Sequence, residues 1–186
     1  IVFIDRVIKD NRFSYVCSNH YKGMEDLLNY LFETNHKRYV FISGKKEIFS
    51  AVERLRAFGD FVKKNKIEYK ILEGEYTYES GLINGKKIKK LPDVVVCSND
   101  LIAYGVIESF KERKIKVPQD VSVTGYDDIT FSKMFSPALT TVRQPIYEMG
   151  KISAEIIHRL LIKKDDYIPV KLFQNQVIVR ESTKRR

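Results

Sequence analysis

Apolar positions along this chain follow two alternating rhythms. Short apolar-rich runs at Ile1–Ile4, Tyr39–Ile42, Tyr69–Leu72, Val94–Cys97 and Val121–Thr124 read as strands, the first of the kind buried on both faces. Between them lie longer segments with apolar residues at helical spacing. Met24, Leu27, Leu28, Leu31 and Phe32 form one stripe; Leu55, Phe58 and Val62 form the inner side of a helix over 50–64; a third helix spans 78–90. Ala103, Val106, Ile107 and Phe110 sit at i, i+3, i+4 and i+7 of a fourth. A last long helix starts near Pro145, well placed for a first turn, and carries Ile146, Met149, Ile156, Ile157 and Leu160 inward. After a polar loop at Lys163–Tyr167, short strands follow at Val170–Phe173 and Val177–Val179. This alternation of strand and helix predicts an α/β fold, a doubly wound parallel sheet with helices on both faces.

Polar residues gather where the strands stop. Asp5-Arg6, Ser43-Gly44, Glu73-Gly74-Glu75-Tyr76, Ser98-Asn99-Asp100 and Gly125-Tyr126-Asp127-Asp128 all follow apolar runs. Ligands of open parallel sheets sit beyond the carboxyl ends of the strands, so these tips predict a pocket. Each tip also has a plainer use: Asp5 and Asp127 suit turns or loop caps, Tyr76 suits packing, and Asp100 is read as a helix cap. Asn19 is placed to cap the first helix, and Asn35 to end it in a left-handed conformation. Arg54 and Arg56 lie early in the second helix, where they oppose its dipole but where a pocket-facing guanidinium would also sit.

Composition narrows the class. With 186 residues and 44% apolar content, the chain can bury one α/β domain, or two lobes if one is incomplete. The net charge of +9 comes from 33 Lys and Arg against 24 Asp and Glu. Such a balance permits an acidic partner, but no basic stripe interleaved with aromatics stands out, and the lysine runs read as solvated faces. Cys17 and Cys97 have no metal-ligand spacing around them, so neither a metal nor a cofactor is expected, and a reducing cytoplasm is the simpler setting. No apolar run is long enough to span a bilayer. His20, His36 and His158 are isolated along the sequence, with no nucleophile–base spacing. Asp127 and Asp128 are adjacent at a strand end and point apart, a poor clamp for a metal. Catalysis is therefore not expected.

Six stretches together resemble the LacI/GalR family of bacterial transcription regulators. They are Val96-Cys97-Ser98-Asn99-Asp100, Val117-Pro118-Gln119-Asp120-Val121-Ser122-Val123, Gly125-Tyr126-Asp127-Asp128, Pro137-Ala138-Leu139-Thr140-Thr141-Val142, Gln144-Pro145 and Arg180-Glu181-Ser182. Their order and spacing match over nearly the whole chain. Asn35-His36 stands where a Gly-His pair is common, and Lys114 where a helix-ending Gly is common.

The resemblance implies an effector-binding domain of periplasmic-binding-protein type (type I), with remnants of a second lobe. Residues 1–17 would be the final strand of the first lobe and a crossover; 18–143 the second lobe; 144–163 a helix crossing back to the first lobe; 164–186 strands returning to the second. A helix-turn-helix headpiece, a hinge helix and most of the first lobe would precede Ile1. By analogy, Asp5, Arg56, Asn99 and Asp127 face the cleft between lobes, Tyr76 covers the ligand, and Ile146 with Met149 forms an apolar wall. That chemistry suits a small sugar, sugar phosphate or nucleobase. The implied function is sensing such an effector in a cytoplasmic homodimer, with operator DNA bound only through the headpiece. The alternatives are a sugar-binding protein of a transport system and a regulator answering to a phosphoprotein corepressor.

Overall fold

The computed structural model describes residues 1–8, 10, 12–162 and 171–186. The predicted polar loop at Lys163–Tyr167 lies outside the described residues, as does the start of the strand expected from Val170. The elements run β1 (Val2–Ile4), β2 (Ser14–Ser18), α1 (His20–Glu33), β3 (Arg38–Ile42), α2 (Phe49–Lys64), β4 (Glu68–Leu72), α3 (Tyr78–Lys87), β5 (Val94–Cys97), α4 (Asp100–Glu112) and β6 (Ser122–Thr124). A 3-10 turn at Thr130–Lys133 leads to β7 (Thr141–Arg143), α5 (Ile146–Ile162), β8 (Lys171–Phe173) and β9 (Gln176–Ile178).

The main sheet is wholly parallel, in the order β4-β3-β5-β6. Its two faces divide the core by the period-two alternation of a strand. Val94 and Val96 face one cluster with Leu27, Leu31, Phe41 and Phe58 from the α1–α2 side. Val95 and Cys97 face another with Ile102, Val106 and Phe110 from α4. This is the doubly wound α/β arrangement that the chain's rhythm predicts. α3 and α4 pack very closely, because Gly81 and Gly105 lie at their crossing. A Cβ at Gly81 would overlap the Ile102 carbonyl oxygen, and one at Gly105 would overlap that of Tyr78.

A second parallel sheet has the order β1-β2-β8, and α5 covers it through Met149 and Ile156, packed with Val16. Sequence reading passes over β2. Ser14-Tyr15-Val16-Cys17-Ser18 has apolar residues only in its middle, so it gives a weak signal, yet Val16 and Cys17 are fully buried. The closing strands also part company. β9 pairs antiparallel with β7 beside the main sheet, whereas β8 joins β2 in the smaller one. The expectation that both strands return together is corrected accordingly. β8 is drawn to β2 because Phe173 completes the apolar cluster under α5.

Local signals at the helix ends hold. Asn19 accepts from the Lys22 N–H at 3.0 Å, and Asn35 adopts a φ of 69° just beyond α1. Lys114 adopts the same left-handed region, at 59°, just beyond α4. Among the described residues, no helix is long and apolar enough to cross a membrane.

Candidate functional site

The carboxyl ends of β1, β2, β5 and β6 bring together a buried polar cluster centred on Arg54. This guanidinium is only 2% exposed and reaches inward from the first half of α2. Its Nη1 donates to the Ser98 carbonyl at 2.5 Å, and its Nη2 donates to Asp127 Oδ1 at 3.2 Å and to His20 Nδ1 at 3.3 Å. Its Cζ lies 3.7 Å from the Tyr126 ring centroid and 5.9 Å from that of Tyr76. Burial works to strip its proton, but Asp127 foremost, with Tyr126, Tyr76 and Asp5, holds the guanidinium charged and its pKa raised.

The rest of the cluster extends from that centre. An arginine can only donate, so His20 Nδ1 accepts and its Nε2–H donates to Asp5 Oδ1 at 2.6 Å. Asp127 also accepts from the Gln144 amide at 2.7 Å, and Gln144 accepts in turn from the Ser18 hydroxyl at 2.8 Å. Burial raises the Asp127 pKa, against the pull of Arg54 and Gln144. Asp5 and Asp127 both hold positive φ, 58° and 113°. Non-glycine residues rarely occupy this region, and such strain gathers at functional positions. Arg54 Nε is buried with no hydrogen-bond partner among the described residues, and burial raises the pKa of the Tyr76 hydroxyl, which lies beside those of Ser50 and Ser98.

Of the six residues singled out in the sequence, Asp5, Tyr76 and Asp127 are brought together around Arg54. Arg56 is not. It points to the opposite, solvent side of α2, where it donates to Glu53 at 2.6 Å and lies over the Tyr21 ring at 4.4 Å. This corrects the choice of guanidinium. Ser50, Ala51, Arg54, Ala57, Phe58 and Phe61 share the buried face of α2, and residue 56 is turned away from it. The helical period itself carried that signal.

Asn99 lies at the tip of β5 beside Ser98, but its side-chain oxygen caps α4, accepting the Ile102 N–H at 2.9 Å. Ile146 is 61% exposed at the start of α5. It borders a hollow of about 490 Å³ with Asp127, Gln144 and Tyr147, separate from the Tyr76 side of the cluster. Met149 points from α5 into the core over the smaller sheet, with Val16 and Ile156, instead of walling the cleft.

His20 and Gln144 are the residues that sequence reading missed. His20 reads as a surface or cap residue, yet it is buried at the first position of α1. Asp100 is structural, but it is not the helix cap the sequence suggests, since Asn99 caps α4 and the Asp100 carboxylate turns to the loop and strand beyond β6. It accepts from the Ile129 N–H at 2.9 Å and from the hydroxyls of Ser132 and Thr141 at 2.7 and 2.6 Å. Burial without a cation raises its pKa to about 6.

A family model described as a periplasmic binding protein-like domain matches residues 28–183. The chain belongs to that family. Solved structures it is similar to include a sugar-binding LacI-family transcriptional regulator of Escherichia coli, at 27% identity over 98% of this chain and 68% of that one, with a TM-score of 0.86. This chain is 31% identical to the HTH-type transcriptional repressor PurR of Vibrio parahaemolyticus over 99% of the chain, and 28% identical over its full length to the probable HTH-type transcriptional repressor ExuR of Bacillus subtilis. The chain spans 57% of the length of each. The solved complex of the transcriptional regulator CelR with cellobiose superposes with a TM-score of 0.89 at 26% identity, covering 97% of this chain and 58% of that one. These relatives are transcriptional regulators by name, not enzymes.

Proposed function

We propose that this chain is the effector-sensing part of a bacterial transcriptional repressor, and that its effector is a small sugar-like molecule held against the Arg54 cluster. The observation that carries this reading is the convergence of Arg54, Asp5, Asp127 and Tyr76 at the carboxyl ends of parallel strands, with the buried Arg54 Nε left unmet. An unpaired buried polar group costs about 1–3 kcal/mol, and a polyol offers both donors and acceptors to such groups. Asp5 and Asp127 supply further acceptors, and Tyr76 an aromatic face. Relatives named as repressors, and a cellobiose-bound regulator of the same fold, support the assignment.

In this reading the β1-β2-β8 sheet with α5 belongs to one lobe and the main sheet to the other. Asp5 and Asp127 then approach the effector from opposite sides. Binding favours one arrangement of the lobes over another, and the difference in affinity between arrangements sets how far the equilibrium moves. In the full-length homodimer, working in the cytoplasm, that shift alters the affinity for operator DNA. A thermal-shift screen of the purified protein against neutral sugars, phosphosugars and purines tests the proposal. A sugar that raises Tm by mass action supports it. A response to purines alone, or no response that depends on Asp127, refutes it.

A further inference from the structure

Asp5, Cys17 and His20 are far from any metal-binding spacing along the sequence, but the fold gathers them. Asp5 directly follows β1, β2 carries Cys17 beside it, and α1 opens with His20. The Asp5 carboxylate oxygen, the Cys17 sulfur and a His20 ring nitrogen all lie within 4.8 Å of one another. We propose that these three side chains bind a zinc-class divalent ion, at the edge of the effector site and independently of what the effector is.

The donor set selects the metal. One thiolate, one imidazole and one carboxylate suit zinc or cobalt, whereas calcium and magnesium require a shell of oxygens. Three protein ligands leave a fourth tetrahedral position for water. An entry path exists, since the Asp5 side chain is 39% exposed while that of His20 is fully buried. The ligand atoms need little movement. The Cys17 sulfur and His20 Nε2 already converge on the same oxygen, Asp5 Oδ1, at 3.9 and 2.6 Å.

On binding, the thiol proton leaves to solvent and a sulfur–metal bond forms. The hydrogen on His20 Nε2 moves to Nδ1, where the Ser18 hydroxyl at 3.4 Å accepts it. Arg54, which now donates to Nδ1, retains Asp127 and the Ser98 carbonyl as partners. Its positive charge opposes a cation. The Cys17 thiolate, Asp5 and Asp127 together outweigh it, and a divalent ion leaves the cluster neutral. Such an ion would pin β1, β2 and α1 together.

Cobalt titration of the purified wild-type protein, followed by absorbance, tests this directly. The expected result is one equivalent bound with a thiolate-to-cobalt charge-transfer band. Zinc should displace the cobalt. Cys17→Ser should abolish the band, and His20→Gln should weaken cobalt binding at least about tenfold. The two variants are made separately, so that a folding failure of one leaves the other to decide. No band in the wild type, or a band that survives Cys17→Ser, overturns the proposal. So does unchanged affinity in His20→Gln. A loss of sugar binding with the cobalt band intact would count against the effector assignment and leave the metal site standing.

Discussion

Arg54 and Asp127 meet at 3.2 Å although 73 residues separate them in the chain. One side chain comes from a helix and the other from the end of a strand. The contact ties α2 to the far edge of the main sheet, with the guanidinium almost wholly buried and the carboxylate a quarter exposed. Removing one partner of a buried pair leaves the other charge uncompensated.

Arg54→Ala is therefore expected to destabilise the protein by about 3 kcal/mol or more. Arg56→Ala removes only an exposed pair with Glu53 and should change stability by less than about 1 kcal/mol. Urea denaturation of both variants checks the contrast. Equal effects would show that Arg54 is not the buried anchor.

The helix glycines give opposite expectations for the same substitution. Gly59→Ala, in the interior of α2 with nothing within 4 Å of the added methyl, should stabilise by about 1 kcal/mol from helix propensity. Gly81→Ala and Gly105→Ala meet backbone oxygens across the α3–α4 crossing and should destabilise the fold despite the same propensity gain. Melting temperatures should rise for the first and fall for the other two. A rise in all three would mean that α3 and α4 pack less closely than described.

Asp100 gives a pH signature. Its folded pKa of about 6 lies above the unfolded value of about 3.9, so the folded state binds the proton more tightly. Between about pH 4 and 6 the native state carries more protons than the unfolded state, and this group's contribution to stability falls as pH rises. The contribution is fully present below about pH 4 and lost above about pH 6, and the shift corresponds to about 3 kcal/mol. Asp100→Asn should flatten the stability profile across that window. Parallel profiles for variant and wild type would exclude Asp100 as the source.

Much of this was legible in the sequence, because parallel strands buried on both faces leave strong apolar runs and their tips are polar by necessity. Val94–Cys97 and the helix after it were readable for that reason, as were Asp5, Tyr76 and Asp127 as polar residues beyond the strand ends, which the fold gathers around Arg54. The choice between Arg54 and Arg56 failed because both sit early in α2; only the full list of residues sharing the Phe58 face separates them. β2 was hidden by its polar ends. His20 was hidden because burial of a histidine depends on partners distant in sequence, here Asp5 and Arg54. Asn99 shows the limit of strand-tip reasoning, since its side-chain oxygen goes to a helix cap.

The most direct measurement is calorimetric titration of the sugar that gives the largest thermal shift, carried out on wild type, Asp127→Asn and Arg56→Ala. The account predicts that Asp127→Asn loses at least about tenfold in affinity, in line with a lost hydrogen bond to a charged group, while Arg56→Ala binds as wild type. Wild-type affinity in Asp127→Asn together with lost binding in Arg56→Ala would contradict it, placing the effector on the outer face of α2 instead of against the Arg54 cluster.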